Sequence, residues 1–96
     1  MTEIPTKTLP SGDELPTVGL GTWELHGETV RASVDAALDA GYAHLDTAEG
    51  YENEADVGEA LAEHDREDVF LPSKALPKHL GYESLVEACE ASLDRL

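Results

Sequence analysis

The sequence predicts an α/β fold with a parallel sheet, and three observations carry that prediction. Short apolar stretches of strand character alternate with amphipathic helical stretches. The strand starts fall near residues 18, 44 and 70, about 26 residues apart each time. Pro10-Ser11-Gly12-Asp13, rich in turn formers, precedes the first unit. Strands alternating with helices imply a parallel sheet with right-handed crossovers. The periodicity fits an open doubly wound sheet as well as a closed barrel.

Taken in order, the elements justify themselves residue by residue. A hairpin is expected from Lys7–Leu9 and Leu15–Val18 around the Pro10–Asp13 turn. The first strand is Val18–Gly21. Its helix runs from about Glu28 to Ala40, with Val30, Val34, Ala37 and Leu38 on one face and Gly41 as the stop. The second strand is about Ala43–Thr47. Its helix opens at Asn53, a good N-cap, with Glu54 and Asp56 in the first turn, where the helix dipole favours acids. Val57, Ala60 and Leu61 form its buried stripe. The third strand is Val69–Ser73. A helix from about Tyr82 to the end places Leu85, Cys89, Ser92, Leu93 and Leu96 on one face, with Cys89 expected to fill the core.

Composition excludes several functions. The 96 residues suit one domain, here 1–96, with a modest core. Acidic residues outnumber basic ones by 21 to 6, for a formal net charge of −15. Nucleic-acid binding needs clustered Lys and Arg, and anionic membrane surfaces repel such a chain, so neither partner is expected. The acids are scattered through helical stretches and read as a solvated surface. With Lys7, Lys74 and Lys78 as its only lysines, the chain fits a salt-rich cytoplasm, as in a halophilic microbe. Cys89 is the sole cysteine, so no intrachain disulfide forms. The first residues show no signal peptide, and no apolar run approaches the ~20 residues needed to span a bilayer. A soluble cytoplasmic protein is expected.

The polar residues at the strand ends point to chemistry. The three ends read Gly21-Thr22-Trp23, Asp46-Thr47-Ala48 and Ser73-Lys74. Adjacent parallel strands lie about 4.8 Å apart, so Asp46 and Lys74 can pair at one rim, with Tyr51 folding back from the next loop. An ammonium beside a phenol favours the phenolate, which suits the phenol to proton donation toward a carbonyl oxygen. A structural ion pair with a half-buried loop tyrosine accounts for the same spacing.

Three blocks add a family resemblance. Leu9–Trp23 (LPSGDELPTVGLGTW), Ala37–Leu61 (ALDAGYAHLDTAEGYENEADVGEAL) and Arg66–Pro77 (REDVFLPSKALP) resemble consecutive signatures of the aldo-keto reductases. The likeness is strongest to the microbial group that includes 2,5-diketo-gluconate reductases. Ala88–Leu96 resembles that family's third helix.

The resemblance implies the first three βα units of a (β/α)₈ barrel behind a hairpin, ending at Leu96 before the fourth strand. It implies Tyr51 as proton donor, Lys74 as the group that lowers its pKa, and Asp46 as the residue that orients the lysine. Gly21, Thr22, Trp23 and Asp46 would lie at the cofactor, NADP(H) or NAD(H), and Trp23 and Tyr51 would line the pocket for a small carbonyl substrate.

Departures qualify the likeness. The family's tetrad histidine ends the fourth strand, and none of His26, His44, His64 or His79 occupies that position. The segment that binds the cofactor's adenine and phosphates is likewise absent. Two residues before Asp46, His44 shares its side of the strand and is expected to pack in the interior. The other histidines lack metal-ligand spacing, and no metal is expected. Ala43 stands where relatives carry a long polar residue. Pro72 within the third strand is expected at an edge or bulge.

Two readings of function follow. One is the catalytic N-terminal part of an NAD(P)H-dependent carbonyl reductase, inactive alone and completed by a C-terminal fragment. The other is a non-catalytic remnant or interaction fragment. Unpaired strand edges favour self-association in either case.

Overall fold

The computed structural model describes residues 4–96. Residues 1–3, counted in the expected domain, lie outside them. The hairpin pairs β1 (Thr6–Thr8) with β2 (Glu14–Pro16) antiparallel, Lys7 opposite Leu15. Its turn closes where Leu9 N donates to Asp13 O at 2.8 Å, with Gly12 at φ +93°, a region that favours glycine. Thr6 and Thr8 both donate hydroxyl protons to the Glu14 carboxylate, at 2.7 and 2.6 Å. Both strands start a residue earlier than their spacing predicts.

β3 (Leu20–Gly21) and β4 (Leu45–Asp46) form the parallel pair, Leu20 opposite Leu45 and Gly21 opposite Asp46. Val18, expected in the first strand, lies before it in a bend and is exposed. His44 turns its Nδ1 to within 3.0 Å of Pro16 O and packs edge-on against Phe70, which fixes the hairpin over this end of the sheet. Gly19 lies so close that an added Cβ would sit 2.7 Å from His44 Cγ.

The expected third strand, Val69–Ser73, is reduced to a bridge between Phe70 and His44. Phe70 donates to Ala43 O at 2.8 Å and accepts from Leu45 N at 3.0 Å. Pro72 has no N–H to continue the ladder, so only its carbonyl engages, accepting from Thr47 N at 3.1 Å. The segment runs parallel beside β4 without forming a regular strand.

α1 (Gly27–Asp39), α2 (Glu54–Leu61) and α3 (Tyr82–Arg95) follow the three segments. α1 stops in a Schellman arrangement: Tyr42 N donates to Ala37 O, Gly41 N donates to Leu38 O, and Gly41 takes φ +100°. Val30 and Val34 from α1, Leu45 from β4, Val57, Ala60 and Leu61 from α2, and Val69 form the core. His64–Asp35 at 2.7 Å and Arg31–Glu63 at 3.2 Å tie α1 to the turn that follows α2.

α3 corrects part of the expected buried face: Ser92 and Leu96 pack inward as expected, Leu96 against the core. Ala88 is its buried residue, while Leu85, Leu93 and Cys89 are exposed. The helix docks through Ser92 and Arg95, which reach Glu54, and its C-terminal carbonyl at Arg95 comes so close to Gly58 that no Cβ fits there. Ala88 and Arg95 lie on the flank of the expected face beyond Ser92, and docking through that flank leaves Leu85, Cys89 and Leu93 outward.

No helix among the described residues is long and apolar enough to cross a membrane. The net charge of −15 makes self-repulsion a large unfavourable contribution. The melting temperature is expected to rise as NaCl goes from about 0.1 M, where the Debye length is about 10 Å, to about 1 M, where it is about 3 Å. A melting temperature flat across that range would remove the high-salt reading.

Candidate active site

Asp46, Tyr51 and Lys74 meet at the C-terminal rim of the parallel segments. Asp46 closes β4, Tyr51 closes the 3₁₀ turn Glu49–Tyr51, and Lys74 follows Pro72 and Ser73. Lys74 Nζ donates to Asp46 Oδ1 at 2.8 Å and to Thr47 O at 2.9 Å, and lies 3.5 Å from Tyr51 Oη. The ammonium also stands 5.2 Å from the centre of the Tyr51 ring. Burial draws the ammonium's pKa down, but the Asp46 carboxylate and the Tyr51 hydroxyl outweigh it and hold Lys74 above the ordinary lysine value. Lys74 is therefore charged at neutral pH and sits against a phenol oxygen.

The expected cofactor residues divide. Gly21 is exposed, with open space where a Cβ would point, and Trp23 is 67% exposed on the same rim. Thr22 is fully buried: its backbone N and its hydroxyl both donate to Asp46 O, at 3.0 and 2.9 Å. Its contribution is to join the two strand ends that carry Trp23 and Asp46.

Two buried polar residues hold this rim, and local reading of the sequence misses both. Asn53 occupies the N-cap position of α2, yet its side chain makes no cap bond. At 1% exposure, its Nδ2 donates to Thr22 O at 2.6 Å and Leu25 O at 2.8 Å, and its Oδ1 accepts from Thr47 Oγ1 at 3.3 Å. Asn53 therefore fastens α2 to the loop after β3. Glu54 is 2% exposed and accepts from Ser73, Ser92 and Arg95. Burial pushes its carboxyl up, but the donors from Ser73, Arg95 and Ser92 overcome this and hold it below the ordinary value. Only their place within the Ala37–Leu61 block, two and three residues after Tyr51, hints at these roles.

Asn53→Asp separates tethering from capping. Aspartate caps as well as asparagine but has no N–H for the Thr22 and Leu25 carbonyls. A loss of about 1–3 kcal/mol is expected for Asn53→Asp and Asn53→Ala alike, because the Leu25 carbonyl loses its donor and Thr22 O keeps only Leu25 N, read as a fall in urea midpoint. An Asp variant as stable as the parent would show that capping alone matters.

Comparison with known proteins agrees with this architecture. The family model described as Aldo/keto reductase family matches residues 17–96. An aldo-keto reductase of Mycolicibacterium smegmatis is 44% identical over 94 residues, covering 96% of this chain and 34% of that protein. A crystal structure of an aldo/keto reductase from Brucella melitensis superposes with a TM-score of 0.91 at 37% identity, covering 99% of this chain and 37% of that one. The Bombyx mori aldo-keto reductase crystallised with NADP gives 0.89 at 31% identity, over 100% of this chain and 35% of that one. The chain thus spans about a third of the length of these relatives. With the matched model extending over most of its length and the same backbone path in both structures, the chain belongs to the aldo/keto reductase family.

Proposed function

We propose that this chain forms the first three βα units of a (β/α)₈ barrel and carries the proton-donating half of an NADP(H)-dependent carbonyl reductase. The observation that carries this reading is the placing of Lys74 Nζ 2.8 Å from Asp46 and 3.5 Å from the Tyr51 hydroxyl. Tyr51 donates its proton to the oxygen of an aldehyde or ketone as that oxygen gains negative charge. Lys74 stabilises the phenolate left behind, and Asp46 with Thr47 O holds the ammonium in place. The cofactor, when bound, supplies the hydride. Gly21 leaves room for close approach and Trp23 offers an exposed ring, so the rim fits the nicotinamide end, with Asp46 beside it. The pocket for the small carbonyl compound lies between Trp23 and Tyr51.

The comparisons support NADP(H) through the cofactor crystallised with the Bombyx mori relative, and NAD(H) is the alternative. The acidic composition and the lack of a membrane-crossing helix among the described residues support a soluble, cytoplasmic setting.

In this proposal the 96-residue chain reduces no carbonyl by itself, and a polypeptide supplying the rest of the relatives' length restores turnover. NADPH oxidation with a small aldehyde, followed by absorbance for the chain alone and for the mixture, tests both halves. Turnover by the chain alone would overturn the need for a complement. A mixture that assembles yet remains inert would overturn the enzyme reading in favour of a non-catalytic fragment.

A further inference from the structure

The segment that carries Tyr51 and the segment that carries Lys74 are joined by one carboxylate that the mechanism does not use. Glu49 opens the 3₁₀ turn that ends at Tyr51. Its backbone N donates to Lys74 O at 2.9 Å. Its side chain, 12% exposed, spans the loop beyond Lys74: Oε2 accepts from Leu76 N at 3.1 Å, and Oε1 lies 2.6 Å from His79 Nδ1. Gly50 completes the seam, since an added Cβ would stand 2.9 Å from Leu76 Cδ2.

The turn needs such help. It ends at Glu52 with φ +56°, a left-handed conformation that costs a non-glycine residue free energy and persists where the surroundings impose it. Lys74 is half exposed on a flexible stem, and Asp46 and Thr47 fix its head from the strand side. Nothing in those two contacts sets where Tyr51 stands. That distance depends on how the 3₁₀ turn rests on the 74–79 loop.

We propose that Glu49 is a positioning residue, anchored on Leu76 N and Lys74 O with the His79 ring beside it, that sets the separation between the Tyr51 hydroxyl and the Lys74 ammonium. The proposal rests on the reading of Tyr51 and Lys74 given above. Glu49 touches neither substrate nor cofactor and acts through the turn.

The test uses the 96-residue chain and needs no turnover. In NMR spectra, the parent should show a nuclear Overhauser contact between the Lys74 side chain and the Tyr51 ring, and a Lys74 titration midpoint above the ordinary lysine value. Glu49→Ala is expected to lose the contact and lower the midpoint in part, while Asp46 still holds the ammonium above the ordinary value. Glu49→Gln keeps an oxygen for Leu76 N and should retain most of both signals. His79→Ala should weaken the contact, and it replaces Glu49→Ala as the deciding variant if that protein fails to fold. A folded Glu49→Ala protein with contact and midpoint unchanged overturns the proposal and leaves the site reading intact. Absence of the contact in the parent overturns the site reading, and this proposal with it.

Discussion

Tyr51→Phe is expected to cut aldehyde reduction in the complemented sample by about 10²- to 10⁴-fold, the range a positioned general acid contributes. The substitution removes one oxygen from a half-buried ring and nearly preserves shape, so assembly and KM should change little. A loss confined to kcat assigns the hydroxyl to the reacting complex. Lys74→Met should cost most of the rate as well. It keeps a long apolar stem but removes the charge that lies 3.5 Å from Tyr51 Oη and 2.8 Å from Asp46. The two losses should not add, because the ammonium acts on the rate through the phenol. A double variant that combines Tyr51→Phe with Lys74→Met should then resemble the worse single variant. Full activity of Tyr51→Phe, measured by NADPH absorbance, would overturn the proton-donor role.

The second large effect is on stability. Glu54→Ala should cost about 1–3 kcal/mol, the range for hydrogen-bonding groups left without their partner, since the Arg95 guanidinium it releases is 38% exposed and can turn to water. It leaves Arg95, Ser73 and Ser92 without the acceptor that joins α2, the Lys74 segment and α3. Glu54→Gln keeps an oxygen acceptor and should cost less.

The pH dependence has a definite sign. The folded carboxyl lies below its ordinary value of 4.5, so its contribution is complete above about 4.5 and is lost as pH falls through the folded value. The gap in urea midpoint between parent and Glu54→Gln should therefore narrow as pH drops from about 7 toward about 3. Comparing the two proteins at each pH removes the opposing effect of neutralising the acidic surface. A gap constant with pH would show that packing, and not ionisation, fixes Glu54.

α1 and α2 are legible because each carries one apolar stripe at helical spacing, with Gly41 as the stop of α1, and those signals are local. The rim meeting of Asp46 and Lys74 is legible because both close equivalent segments of adjacent units. Strand extent is less so. Pro72 marks an edge, but how far its missing N–H erodes the ladder depends on the neighbouring β4. Asn53 and Glu54 look like an N-cap and a first-turn acid, and they do occupy those positions. Thr47 apart, their side chains answer to residues between 19 and 41 positions away, which no capping rule contains. Cys89 is misplaced for a related reason. The expected face of α3 is broad, and the contacts of Ala88, Ser92 and Arg95 bury one edge of it while Cys89 lies on the other.

Trp23 is the sole tryptophan of the sequence and stands exposed beside Gly21 and the buried Thr22. Its emission is therefore an optical signal from one place only. Red-edge excitation, which passes over the tyrosines, would report on the rim while the helices and hairpin stay dark. A nicotinamide settling against the indole would quench that light by stacking. A change at Asn53, which tethers the Thr22 and Leu25 carbonyls on either side of the indole, would alter it without any ligand. The same photon count then serves as a binding isotherm in one experiment and as a gauge of local unfolding in the next.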